Sequence, residues 1–168
     1  MIRRRSHLLT LCLFVGIFSA VGVQAKSGAK PVKWMRGIYM AESPQPQPVP
    51  AAIAVSIAQA KATDVGGSAI RGNGDSMKPL YNDGVIMVVA PTKFDELKRG
   101  QTVVYKNREG RHVAHILIAK CKRGWRVAGL NNPIHDGQGV NAENLHGIVV
   151  DAYQPVASTS LALSLIHI

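Results

Sequence analysis

The feature that most constrains the fold is a train of short, branched-aliphatic runs broken by turn residues. These are Val85 to Val89, Thr102 to Lys106, His112 to Lys120, Trp125 to Ala128 and Gly147 to Tyr153. Each is short for a helix and rich in side chains that suit a pleated surface. Asn107-Arg108-Glu109-Gly110 joins the second and third runs as a hairpin, its glycine supplying the unusual turn angle. Asn131-Asn132-Pro133 and Gly137-Gln138-Gly139 are further loop chemistry. Hydrophobic residues make up 46% of the chain but aromatics only 5%, so a core must be built from Val, Ile, Leu and Ala. The pattern predicts a compact, mostly β domain over residues 64–155, with no internal repeat.

Upstream the character changes. Ala51 to Ala62 has helix-forming composition, and predicts a short helix before the strands. Pro44, Pro46, Pro48 and Pro50 alternate with polar or small residues and read as an extended linker. Lys33 to Met40 mixes basic and aromatic residues, as an interfacial membrane contact or a first packed segment would. Residues 26–63 are therefore read as a basic and aromatic segment, a proline-rich linker and a short helix.

Residues 1–25 have the layout of a signal peptide or a retained signal-anchor. Arg3-Arg4-Arg5 precede the uncharged stretch Leu8 to Val23, and a small residue, Ala25, follows. The expected location is outside the cytoplasm, periplasmic or anchored in the inner membrane with the domain outside. The formal charge of +10 agrees with this once it is located. Residues 1–36 carry seven bases and no acid, leaving +3 for the remainder. The excess flanks an apolar segment, which argues for a membrane surface and against a nucleic-acid partner. Two cysteines, Cys12 and Cys121, cannot form a bridge framework. No metal cluster and no cofactor are expected.

The turn Gly74-Asp75-Ser76-Met77-Lys78-Pro79, followed by Leu80-Tyr81-Asn82-Asp83-Gly84, carries the chemistry. A serine between a glycine turn and a proline, just ahead of a strand, is well placed as an exposed nucleophile. The same residues also make an ordinary solvated turn. A serine hydroxyl needs a base, and His112, His115, His135, His146 and several lysines are available. On the strand from His112, the side chains of Val113, His115 and Leu117 share one face; Ala114, Ile116 and Ile118 share the other. His115 is thus either a satisfied core residue or an imidazole aimed at a partner. Lys120 is the competing base, read as lying on the opposite face near the strand end. His112, His135 and His146 are expected to face solvent.

Four blocks in order give the chain a family likeness. They are Gly74 to Gly84, Arg99 to Tyr105, Val113 to Ile118, and Gly129-Leu130-Asn131-Asn132-Pro133-Ile134-His135-Asp136. Together these blocks resemble the type I signal peptidases and their relatives, the LexA-like self-cleaving repressors. The resemblance spans residues 72–150 and implies a compact signal-peptidase/LexA-like β-fold with a short N-terminal helix. It implies Ser76 as nucleophile and His115 as base, at a position where most bacterial signal peptidases carry lysine. That choice is similar to the archaeal and endoplasmic-reticulum enzymes, which implies Asp136 as the third member. Gly74, Asp75, Met77 and Pro79 would shape the turn and its oxyanion site. Gly74 stands where many relatives have a second serine, and Val85 and Gln101 replace common aspartates.

The expected function is an exported or membrane-anchored serine endopeptidase. It would cleave precursor or leader peptides by a serine–histidine(–aspartate) mechanism. The partner would be a peptide or pre-protein, with possible contact to a membrane surface. Two alternatives remain open: a non-catalytic peptide-binding module of the same fold, and a self-cleaving regulator with a serine–lysine dyad. Residues 156–168 read as a tail. Its last part, from Ser160, is similar to translated adapter sequence and is non-native on that reading; a genuine final strand is the alternative.

Overall fold

The computed structural model describes residues 42–157. The expected leader, the stretch around Trp34 and the tail from Ser160 lie outside the described residues. The chain forms β1 (Gln47–Pro50), α1 (Ala51–Asp64), β2 (Ser68–Arg71), β3 (Ile86–Ala90), a short 3-10 turn (Phe94–Glu96), β4 (Thr102–Lys106), β5 (His112–Cys121), β6 (Gly124–Ala128) and β7 (Leu145–Val156). The fold is mostly β with one helix near the start of the described region, as the sequence predicts. All seven strands join one sheet in the order β2-β3-β7-β4-β5-β6, with β1 also on β7. The twelve-residue β7 is the spine: it pairs antiparallel with β3 and β4, and parallel with β1.

The side-chain alternation of the strands sorts the core into layers. Val104, Ile116 and Ile118 point into a cluster with Met77, Leu80, Tyr81, Val85 and Met87. Val103, Tyr105 and Leu117 point the other way, with Trp125, Val127 and Val140. A third cluster lies under α1, where Ala54, Ala58 and Ala62 recur every fourth residue against Ile86, Val88 and Tyr153. Alanines on that stripe leave no bulk between helix and sheet, so the helix sits close to β3.

Two expectations need correction. The stretch read as a linker, Pro44 to Pro50, is extended but packed: Gln47–Pro50 is hydrogen-bonded along Tyr153–Val156. Just before it, Ser43 is buried and its hydroxyl donates to the Gly100 carbonyl and pairs with Thr102 Oγ1, both at 2.9 Å. The Tyr81 hydroxyl donates to the Pro44 carbonyl at 2.9 Å. The packed body therefore begins about twenty residues before the expected boundary at 64. Prolines suit this position because a parallel edge contact leaves some amide hydrogens unneeded.

The second correction concerns Lys120. The register between β5 and β6 slips between Leu117 and Ala119. One extra residue in a strand exchanges its faces, so strict alternation from His115 fails beyond Leu117. Lys120 lies opposite Trp125, whose side chain belongs to the Leu117 layer. It shares that layer's side of the sheet rather than the opposite one, and it is exposed.

Candidate active site

Three expected residues come together from three elements. The Ser76 hydroxyl lies 3.1 Å from Nε2 of His115, and Nδ1 of His115 lies 2.5 Å from Oδ2 of Asp136. His115 is held on β5 at a point where the strand pairs with β4 alone, because β6 joins β5 only from Ile116 onward. That open edge is where the Ser76 turn and the Asp136 loop reach the ring. The side chain is 9% exposed, so its two bonds are sheltered from competing water.

The nucleophile turn is fixed from both ends. Gly74 has φ +89°, a backbone region that side chains disfavour, and its N–H donates to Oδ1 of Asp83 at 2.6 Å. Asp75 accepts from Lys78 in an exposed pair at 2.9 Å, while Met77 is buried beneath the turn. Pro79 follows a cis peptide bond. Asp75, Met77 and Pro79 thus shape the turn, and among the described residues none of them is hydrogen-bonded to His115 or Asp136. Among the described residues, the Ser76 N–H donates to no other group and remains available to an incoming oxygen.

The segment from Gly129 to Asp136 joins the turn to the base. The Asn131 N–H donates to the Ser76 carbonyl at 2.8 Å. A Cβ at Gly129 would stand 2.6 Å from that same carbonyl, so only glycine permits the contact. The Asp136 N–H donates to the Val127 carbonyl at 2.9 Å, which anchors the end of the loop on β6. The other candidates are elsewhere: His135 Nδ1 contacts the Asp136 carbonyl at 2.9 Å, and Lys120 is exposed at the far end of β5.

Sequence reading missed Tyr105. Its hydroxyl donates to Oδ2 of Asp136 at 2.5 Å, the same oxygen that faces His115. The β4–β5 register explains this: Tyr105 lies opposite Val113 and Val103 opposite His115, so phenol and imidazole are diagonal neighbours on one face. Burial, followed by the nearby Asp136, pushes the phenol well above its usual range, so it stays a donor. The signal was available: a tyrosine two residues from the register partner of the candidate base. Tyr105→Phe should lower kcat about three- to tenfold while leaving KM and the melting temperature nearly unchanged, because the lost bond orients the carboxylate and touches no peptide. An unchanged kcat in a steady-state assay would remove Tyr105 from the site.

At the other end of β5, the rings of His112 and His146 lie 4.7 Å apart. Loss of water around His146, then the charges of His112 and Lys106, push its pKa below the ordinary 6.5. A lowered native pKa means that the unfolded chain takes up the proton first. Stability should then be full above pH 6.5 and fall as pH drops through that value. Denaturant titrations at pH 7.5 and 5.5 should show this loss diminished in His146→Asn.

Beside Ser76 lies a cleft of about 330 Å³, floored by Met77, Tyr81, Val85, Met87 and Val104. Its banks are β2 on one side and the start of β5 on the other. Among the described residues, no three His, Cys, Asp or Glu side chains gather as a metal site would require, and no helix is long and apolar enough to cross a membrane. The family model described as Peptidase S24-like matches residues 43–150. No curated protein matches the chain.

Proposed function

The chain belongs to the Peptidase S24-like family, and from that premise we propose that it is a serine endopeptidase of the histidine-base kind. In this reading it acts outside the cytoplasm, exported or membrane-anchored, on precursor or leader peptides. The observation that carries the proposal is the unbroken chain from Ser76 Oγ through His115 to Asp136, at 3.1 and 2.5 Å. Serine peptidase activity in general accords with the family; the histidine base and the substrate are the proposed part.

The chemistry follows from the contacts. Ser76 Oγ attacks the scissile carbonyl while His115 Nε2 takes its proton. Asp136 holds the Nδ1–H tautomer and supports the imidazolium as it forms. The Ser76 N–H donates to the developing oxyanion. His115 then returns the proton to the leaving amine, and water repeats the sequence on the acyl-enzyme. The substrate would lie extended in the cleft, as an added strand between the free edges of β2 and β5. The leader and Lys33 to Met40 support a membrane-side location on sequence grounds alone.

The test is a library of leader-like peptides incubated with the full chain, read by mass spectrometry. Cleavage that requires Ser76 and His115 but survives Lys120→Ala supports the proposal. Binding without cleavage would instead favour the non-catalytic module, and Ser76-dependent cutting of its own chain alone would favour the self-cleaving regulator.

A further inference from the structure

We propose that the cleft selects peptides carrying an Asp or Glu side chain in the segment it binds, held between Arg71 and Arg111. This rests on the peptide-binding reading above and adds the substrate's charge. The two arginines stand on opposite banks: Arg71 is the last residue of β2, and Arg111 immediately precedes β5. His112 stands beside Arg111, and among the described residues no acidic side chain lines the cleft.

The acids nearest in sequence are already engaged. Asp75 pairs with Lys78, Asp83 accepts from the Gly74 N–H, and Glu109 pairs with Arg111. Among the described residues Arg71 makes no ion pair, and it is exposed. The Arg111–Glu109 pair is itself exposed, at 74% and 66%, and such pairs are weak enough to exchange for a substrate carboxylate. An extended peptide alternates its side chains. Those facing down would meet Met77, Tyr81, Val85 and Met87 and should be small or apolar. Those facing up would emerge between two guanidinium groups, whose forked donors match a carboxylate.

The test uses one cleaved peptide carrying Glu, Gln or Lys in turn at each position that the cleft would hold. Wild type should prefer Glu over Lys at one outward-facing position by about tenfold in kcat/KM, and the preference should shrink as salt is raised. Arg71→Glu with Arg111→Glu should invert it, and Arg71→Gln with Arg111→Gln should erase it. A wild-type enzyme that cleaves every variant alike, or a preference unchanged in the reversed variant, overturns the proposal while leaving the peptidase reading intact. Binding of the same peptides to the Ser76→Ala protein, followed by fluorescence anisotropy, asks the charge question without catalysis. Absent cleavage by the wild-type protein, with a Glu preference retained in binding, would sink the peptidase reading and keep this one. If the arginines govern adhesion to anionic vesicles and have no effect on peptide choice, the proposal is likewise overturned.

Discussion

Replacing Ser76 or His115 by alanine should lower kcat/KM for peptide cleavage by about 10⁴-fold or more, and the double variant should be no worse than either single one. The reason is that the two groups act as one device: a hydroxyl without its base is a poor nucleophile, and a base without its hydroxyl has nothing to deprotonate. The residual rate would come from peptide positioning and the Ser76-position N–H, which alanine keeps. KM should change little, because the apolar floor of the cleft and its β2 and β5 banks are untouched. The two variants should differ in stability. Ser76 is partly exposed, so its loss should leave the melting temperature nearly unchanged. His115 is 7% exposed, so its truncation opens a cavity and deprives Asp136 of a partner. A cost of roughly 1–3 kcal/mol follows. Thermal unfolding beside single-turnover kinetics therefore separates loss of fold from loss of chemistry. An active His115→Ala protein with a dead Lys120→Ala protein would transfer the base to Lys120.

The turn and the strands of this site could be read before the structure because they are local, whereas the roles of Ser76, His115 and Asp136 came from the family resemblance. The serine turn announces itself through Gly74 and Pro79, and the hairpin through Gly110, since these residue types have few other uses at such spacing. The strand alternation put His115 on the Leu117 face, and its register partner Val103 belongs to that layer. What failed was whatever depended on how one strand pairs with another. Four prolines in seven residues look like a linker until β7 offers an edge to Gln47–Pro50. The face of Lys120 follows from parity until a bulge against β6 reverses it. Tyr105 draws no role from its own run until the β4–β5 register sets it diagonal to His115. Propensity and periodicity describe one strand at a time, whereas register belongs to two.

Asp136→Asn is the sharper test, because it separates a catalytic carboxylate from a loop cap. The backbone N–H of Asp136 bonds the Val127 carbonyl whatever the side chain is, so asparagine should keep the loop on β6. The side chain is mostly buried, at 15% exposure, and the amide is nearly the same size, so the melting temperature should hold within a few degrees. Activity should not hold. Oδ2 serves two donors, the Tyr105 hydroxyl and His115 Nδ1. With the amide oxygen in that position both bonds survive, but the charge that supports the imidazolium is gone. With the amide nitrogen there, it donates toward Nδ1, the proton moves to Nε2, and Nε2 can no longer accept from Ser76. Either arrangement lowers kcat, and the wrong tautomer in a serine–histidine–aspartate set costs on the order of 10⁴-fold. A loss of about 10³–10⁴-fold in kcat with a normal melting temperature makes Asp136 the third member. Full activity with an unchanged fold would reduce it to a loop residue and leave Ser76 and His115 as a dyad.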